Sequence, residues 1–236
     1  MPHVDKLRLI LTIVSGVCWT IVYLDGIRVG LRDKSYAIPF YALALNFAWE
    51  LLYTILGFRH QGPTVQNVFN AVWLTFDIGI LYTYFRFGLK YFGSPYGPPL
   101  TAGGPDKNGP PAIAGRTGFI AWSILGLITG FAVQYAFRRE FGMGKGATYS
   151  AFSQNLLMSV LFIGMLAQRG SREGQSLTIA VNKWIGTLAP TILYGALGEG
   201  DFPHGSFLIL TLGTFCSLFD VIYIWLLARI KPRPTT

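Results

Sequence analysis

Charged residues are scarce in this sequence. Asp, Glu, Lys and Arg make up 13% of the 236 residues, whereas 52% are hydrophobic and the mean hydropathy is +0.44. A soluble domain usually carries about 25% charged residues. A protein surface with this little charge would not stay dissolved in water. The composition therefore predicts a chain whose solvent is lipid. At this length we expect one domain, covering residues 1–236.

Residues that bind metals, nucleotides or diphosphates are also missing. The chain has three histidines and two cysteines, and none of them forms a cluster with the spacing of a metal site. It has no DDxxD run to hold magnesium and a diphosphate, no DxDD acid motif, no P-loop and no GxGxxG helix opening. The sequence therefore predicts no metal site, no bound cofactor and no cofactor-binding residues.

The net charge of +8 does not indicate a nucleic-acid partner. The basic residues lie between apolar runs instead of forming one stripe or patch. Of the 19 Lys and Arg residues, 6 fall on the N-terminal side of the predicted membrane and 13 on the opposite side. Because basic residues are enriched on the cytoplasmic side, this bias predicts an outside N-terminus and a cytoplasmic C-terminus.

Long apolar segments are what the sequence has in abundance. A bilayer core about 30 Å thick needs about 20 apolar residues in a helix. The segments that meet this are Leu7–Leu24, Tyr36–Phe58, Val65–Phe87, Thr117–Phe137, Thr148–Ala167, Leu177–Leu197 and Gly205–Ala228. We therefore predict an all-α bundle of about seven transmembrane helices, an integral membrane protein surrounded by membrane lipid.

Two of these segments have features that bear on packing. Gly126 and Gly130 have the GxxxG spacing that lets two helices approach closely. Pro190 lies inside the sixth segment, and a kink there is tolerated when a neighbouring helix satisfies the freed carbonyl. Residues 88–116 are rich in Pro and Gly, so they predict a loop, either a passive linker or a cap over one end of the bundle.

Three acidic residues lie within predicted membrane helices. Glu50 occurs in NFAWELLY of the second segment, Asp77 in WLTFDIGILY of the third and Asp220 in CSLFDVIYIW of the seventh. An acid in the membrane is a functional hypothesis by default, because inserting it costs at least about 2.5 kcal/mol. No Lys or Arg lies deep enough in these helices to predict an ion pair, and desolvation without a cation favours the neutral acid, a proton donor. The alternative is that each acid only hydrogen-bonds between helices.

Polar and aromatic residues flank two of these acids. Asn46 stands one turn before Glu50 and is expected to orient it, and Tyr53 follows three residues later. Tyr223 has the same spacing from Asp220. Aromatic faces stabilise cations, so an apolar pocket with a proton donor suits carbocation chemistry. The aromatic residues predicted to lie deep beside the acids are Trp49, Phe76, Phe219 and Trp225.

At NFAWELLY and FDVIYIW the sequence resembles the small integral-membrane terpene cyclases of meroterpenoid and indole-terpenoid biosynthesis. The resemblance covers essentially the whole chain and implies that Glu50 and Asp220 are the essential acid pair. It implies protonation of a terminal alkene or epoxide on a prenylated aromatic or indole substrate, then cation–olefin cyclisation without loss of a diphosphate. It implies no role for Asp77.

These expectations extend to partners and location. The substrate would be a prenylated, lipid-like small molecule, and a pathway prenyltransferase or epoxidase would be a partner. The membrane would be a bacterial plasma membrane or the endoplasmic reticulum. A proton-coupled transporter or channel, with the intramembrane acids as a relay, is the alternative function, and a non-catalytic membrane scaffold is a third.

Overall fold

The computed structural model describes residues 2–92 and 115–230, and helices dominate both parts. The helices are α1 Pro2–Arg32, α2 Phe40–Gln61, α3 Val65–Phe87, α4 Arg116–Phe141, α5 Met143–Arg169, α6 Leu177–Pro190 and α7 Phe207–Arg229. The predicted all-α bundle of seven helices is confirmed. Most of the predicted loop 88–116 lies outside the described residues, although Gly88–Tyr91 forms a short 3₁₀ turn.

Six of the described helices are long and apolar enough to cross a membrane, and α6 is the exception. It has 14 residues and continues as a π-helical segment of 7 residues, Thr191–Leu197. The change occurs at Pro190, which has no N–H to bond the carbonyl of Gly186 one turn earlier. The hydroxyl of Ser15 in α1 donates to that carbonyl at 2.8 Å. The expectation that a neighbouring helix satisfies the carbonyl freed at Pro190 is confirmed.

Helix α1 is longer than the apolar run that predicted it. The run ends at Leu24, but the helix continues to Arg32 with Asp25 and Arg28 inside it. The Nε of Arg28 donates to Asp25 at 2.7 Å, one helical turn away, and the hydroxyl of Ser176 donates to the other carboxylate oxygen. Because this acid is paired, it does not end the helix.

Close packing between α2 and α4 depends on two glycines. A Cβ on Gly130 would lie 2.7 Å from the backbone oxygen of Ala44, and one on Gly126 would lie 2.5 Å from the ring of Phe40. Both distances are too short for a side chain, so the GxxxG expectation is confirmed. Elsewhere α1 packs mainly against α6, and α7 packs against α5 and α6.

Large apolar side chains cover the outside of the bundle. Leu9, Ile128 and Phe207 are 61%, 61% and 85% exposed. A surface of this kind fits a lipid solvent, in agreement with a multi-pass membrane protein.

Candidate active site

A cavity of about 420 Å³ lies among α1, α2, α3, α5 and the π-helical segment. Its volume falls within the range of small-molecule sites. It reaches the end of the bundle that holds Gly57, Asn67 and Gly144, and Glu50 is part of its wall. We call it the Glu50 cavity. Its aromatic lining residues are Trp19, Tyr23, Trp49, Tyr53, Trp73, Phe152 and Tyr194.

Glu50 has a described hydrogen-bond partner at only one of its two carboxyl oxygens. Its side chain is almost completely buried, and its Oε1 accepts a hydrogen bond from the hydroxyl of Tyr23 at 3.3 Å. The Oε2 atom has no hydrogen-bond partner among the described residues. In a neutral carboxyl group the proton therefore belongs on Oε2, because Oε1 already accepts a hydrogen.

A chain of hydrogen bonds leads to Glu50, and each residue in it donates to the next one towards Glu50. The Nδ2 of Asn46 donates to the oxygen of Tyr23 at 2.6 Å, so the tyrosine hydrogen is available for Glu50. The Oδ1 of Asn46 accepts from Gln154 at 3.0 Å, and Gln154 in turn accepts from Gln134 at 2.7 Å. Together these contacts fix which way the Asn46 amide points. Asn46 is expected to orient Glu50, and in the structure the hydroxyl of Tyr23 links the two residues.

Asp77 belongs to the same network. It is completely buried, and its Oδ2 accepts a second hydrogen bond from the Nδ2 of Asn46 at 2.9 Å. It is not one of the described residues that line the Glu50 cavity. Asp77 therefore helps to fix the Asn46 amide from outside the described lining of the cavity.

Hydrogen bonds fix two of the indole rings in the cavity wall. Trp49 donates from its ring nitrogen to the backbone oxygen of Ala147 at 2.9 Å. Trp73 donates to the hydroxyl of Thr20 at 3.1 Å. The ring of Tyr53 packs on Trp49 with its centroid 5.0 Å away. Rings held in this way keep their electron-rich faces in fixed positions, as stabilising a bound cation requires.

Asp220 has a cation partner, contrary to the expectation from the sequence. The Nζ of Lys183 in α6 lies 2.8 Å and 2.9 Å from the two carboxylate oxygens, and it also donates to Ser159 in α5 at 2.7 Å. Both charged side chains are 1% exposed. The long lysine side chain carries its charge from the middle of α6 into the bundle. Asp220 also lies outside the described set of residues that line the Glu50 cavity.

The aromatic residues near Asp220 are not part of this cavity wall either. Tyr223 is buried, but its hydroxyl donates to Gln175 at 2.9 Å and its ring packs on Phe162. Phe219 is half-buried outside the described cavity lining. Trp225 is 52% exposed under the guanidinium of Arg229, so its predicted deep position is wrong.

A second aromatic cavity provides a comparison. It has about 430 Å³ and lies at the opposite end of the bundle, where Tyr36, Tyr84 and Trp122 contribute to its wall. No Asp or Glu occurs among its described lining residues. Aromatic lining alone is therefore common in this bundle, and the combination with a carboxyl group distinguishes the Glu50 cavity.

Comparison with known proteins identifies the family of the chain. The profile of the Pyr4-like transmembrane terpene cyclases matches residues 2–95 and 106–233. The chain belongs to this family. Relatives of this transmembrane terpene cyclase carry names that agree with the match. The Pyr4-family terpene cyclase mfmH of Annulohypoxylon moriforme is 31% identical over 78% of the chain and 68% of its own length.

Two further relatives extend the comparison. The terpene cyclase nodB of Hypoxylon pulicicidum is 30% identical over 73% of the chain, which spans 63% of that relative's length. The terpene cyclase macJ of Penicillium terrestre is 25% identical over 88% of the chain and 77% of its own length. No solved structure matches the chain. These relatives give no support to a bacterial membrane, and the compartment of this cyclase stays a prediction.

Sequence reasoning found part of the wall of the Glu50 cavity in this cyclase and missed its supports. Trp49, Glu50 and Tyr53 line the cavity as one helix face. The predictions did not include Tyr23, Gln154 or Lys183. A signal was present for the last two, because polar side chains in the middle of apolar helices need partners.

Proposed function

We propose that this terpene cyclase protonates a terminal alkene or epoxide of a prenylated aromatic or indole substrate, with Glu50 as the acid. The observation that carries the proposal is a buried carboxyl group with one oxygen unpartnered among the described residues, on a residue that lines an aromatic cavity. The other oxygen already accepts from Tyr23, so the transferable proton is assigned to Oε2.

The proposed reaction balances without a co-reactant. The Oε2 proton adds to the terminal alkene carbon or to the epoxide oxygen, and in the second case a carbon–oxygen bond breaks. The electron pair of the next double bond then attacks the cation and closes a ring. Loss of a proton from the last cation returns what Glu50 donated, so the product has the mass of the substrate.

The aromatic wall supports the steps that follow protonation. The faces of Trp49, Trp73 and Tyr53 would stabilise the migrating positive charge, by about 0.5–2 kcal/mol for each favourable contact. A substrate that fills the space between these rings would displace water, which would otherwise capture the cation. Catalysis then consists of holding the prenyl chain of the substrate in a folded shape, donating one proton and excluding water.

The resemblance implies that Asp220 belongs to the essential acid pair, but the contacts of Asp220 differ from those of Glu50. Both oxygens of Asp220 accept from the Nζ of Lys183, and Asp220 is not among the described residues that line the Glu50 cavity. We therefore propose Glu50 as the acid and Asp220 as the partner of Lys183.

The test is an assay on membranes that contain the protein. They are incubated with a farnesylated phenol or indole, with and without its terminal epoxide, and products are separated by liquid chromatography and mass spectrometry. We expect a new product of identical mass, formed equally well in EDTA because the chain has no metal-ligand or diphosphate motif. Membranes without the protein are the control. Activity that disappears in EDTA and returns with magnesium would overturn the protonation mechanism, and proton flux without a product would indicate a transporter.

A further inference from the structure

An apolar groove adjoins the Glu50 cavity. It has a volume of about 660 Å³ and lies between α1, the start of α3 and the π-helical segment. Four residues line both spaces, which places the groove and the cavity side by side. We call it the α1 groove, and the four shared residues are Ser15, Trp73, Pro190 and Tyr194.

The α1 groove opens on the membrane-facing surface of the bundle. Leu9, Ile13, Val17 and Phe69 line it and are each about half exposed or more. None of its described lining residues is charged. A groove with these walls suits a hydrocarbon chain and is unsuited to a charged head group.

The break in the sixth helix lies where the two spaces meet. Pro190 ends α6, and Tyr194 belongs to the π-helical segment that follows. The hydroxyl of Ser15 bonds the carbonyl that Pro190 frees, so this irregular backbone is stabilised by α1. Irregular helical segments of this kind occur frequently at functional sites.

We propose that the α1 groove admits the isoprenoid chain of the substrate from the bilayer into the Glu50 cavity. This inference rests on the proposed function, because it takes the same prenylated substrate. An isoprenoid chain dissolves in the bilayer core, and the groove extends from the lipid-facing surface to the residues that it shares with the wall of the Glu50 cavity, with no charged residue among its described walls. The isoprenoid chain enters between Trp73 and Tyr194 with its terminal alkene or epoxide first, and this brings the reactive group to Glu50.

Filling the groove tests this proposal. A Cβ on Gly16 would have only the ring of Trp73 near it, at 4.0 Å, so a Cβ fits there without displacing a neighbour. Gly16→Phe places a benzyl group in the groove, and we expect kcat/KM for a farnesylated phenol in vesicles to fall at least about tenfold, mainly through KM. Leu24→Phe is the control, since Leu24 is 51% exposed on the same helix and is not among the described lining residues of the groove or the cavity. Equal kinetics of the two variants would overturn the proposal.

A labelling experiment tests the same groove without turnover. A farnesylated phenol with a diazirine on its prenyl chain is photolysed with the wild-type protein in phosphatidylcholine vesicles, and labelled peptides are mapped by mass spectrometry. We expect labels in α1 near Ile13 and Val17 that unlabelled farnesylated phenol displaces, and that Gly16→Phe removes. Labels that only phospholipid displaces would assign the groove to a bilayer lipid and overturn the proposal. Displaceable labelling without any cyclised product would instead contradict the proposed function.

Discussion

Glu50 lines the aromatic cavity, accepts a hydrogen bond from Tyr23 at Oε1 and has no described partner at Oε2. Glu50→Gln keeps nearly the same volume and still accepts from Tyr23, but it has no transferable proton. If Glu50 starts the reaction, turnover should fall by roughly 10²–10⁴-fold or more, the contribution usual for a general acid.

Glu50→Asp is the matched variant, because it retains the acid and retracts it by one methylene. We expect strong impairment with residual product, whereas a purely structural role would favour Gln over Asp. The measurement is the initial rate of product formation per amount of folded protein in the membrane. A Gln variant with more than about a tenth of the wild-type rate would reject the acid role.

Tyr23 gives a second prediction at the same site. Its hydroxyl links Asn46 to Glu50, and its ring packs against Trp73 and Phe76. Tyr23→Phe keeps the ring but leaves buried polar groups without partners, at a cost of about 1–3 kcal/mol. We expect kcat to fall about tenfold or more with KM little changed, since the carboxyl loses its orientation and the cavity keeps its shape.

The control for Tyr23 comes from the opposite end of the bundle. Tyr84→Phe also removes a buried tyrosine hydroxyl, one that is bonded to Ser123 at 3.0 Å in the second aromatic cavity. Its kcat should stay within about twofold of wild type. Equal losses in the two variants would show a general effect on stability instead of a positioning role for Tyr23.

The buried ion pair between α6 and α7 gives a prediction about helix packing. Lys183 bonds both oxygens of Asp220 and also Ser159, so three helices meet at one charge. Asp220→Asn leaves a buried lysine without its counter-charge, which usually costs about 3–5 kcal/mol. We expect this variant to lose thermal stability in detergent and to be inactive for that reason.

Removing both charges separates the two roles of Asp220. Lys183→Met with Asp220→Leu replaces the pair by apolar side chains, a change that is often neutral for stability. We expect the double variant to regain both the melting temperature and product formation. A double variant that is as stable as wild type but makes no product would assign Asp220 a direct part in the reaction.

Helix positions were predictable because membrane thickness sets them. The third apolar run, Val65–Phe87, is identical to α3, and α7 differs from its prediction by one or two residues at each end. The predicted end of the first helix was wrong because Asp25, which pairs with Arg28 and Ser176, lies inside α1. The expectation that Asp220 has no cation partner was wrong because Lys183 of α6 reaches it. The hydropathy of a local segment does not reveal partners that are distant in the sequence.

The candidate site was predictable only within one helix. Asn46, Trp49 and Glu50 share a face because of helical spacing, and the sequence alone shows that. The link through Tyr23 depends on which face of α1 meets α2, which follows from packing of the whole bundle. Contacts between helices with long sequence separation leave no local pattern in a single sequence.

The orientation of the whole molecule in the membrane is the last prediction. Lys183 is buried, and without it the basic residues divide 6 against 12. The bias still places the N-terminus outside and the C-terminus in the cytoplasm. This requires seven crossings, so α6 with its π-helical segment must cross as one unit. Their 14 and 7 residues reach about 30 Å at helical rise, just enough for a bilayer core.

Reporter fusions at the two termini measure the orientation directly. Alkaline phosphatase is active outside the cytoplasm and green fluorescent protein is fluorescent inside it, so each reporter is placed in turn at both ends. We expect phosphatase activity only at the N-terminus and fluorescence only at the C-terminus. Both termini on one side would mean that Leu177–Pro190 and the segment after it do not cross. In the predicted orientation the Glu50 cavity should be accessible from the outer side. The cavity reaches the end of the bundle where α3 begins, and α1 begins at that same end.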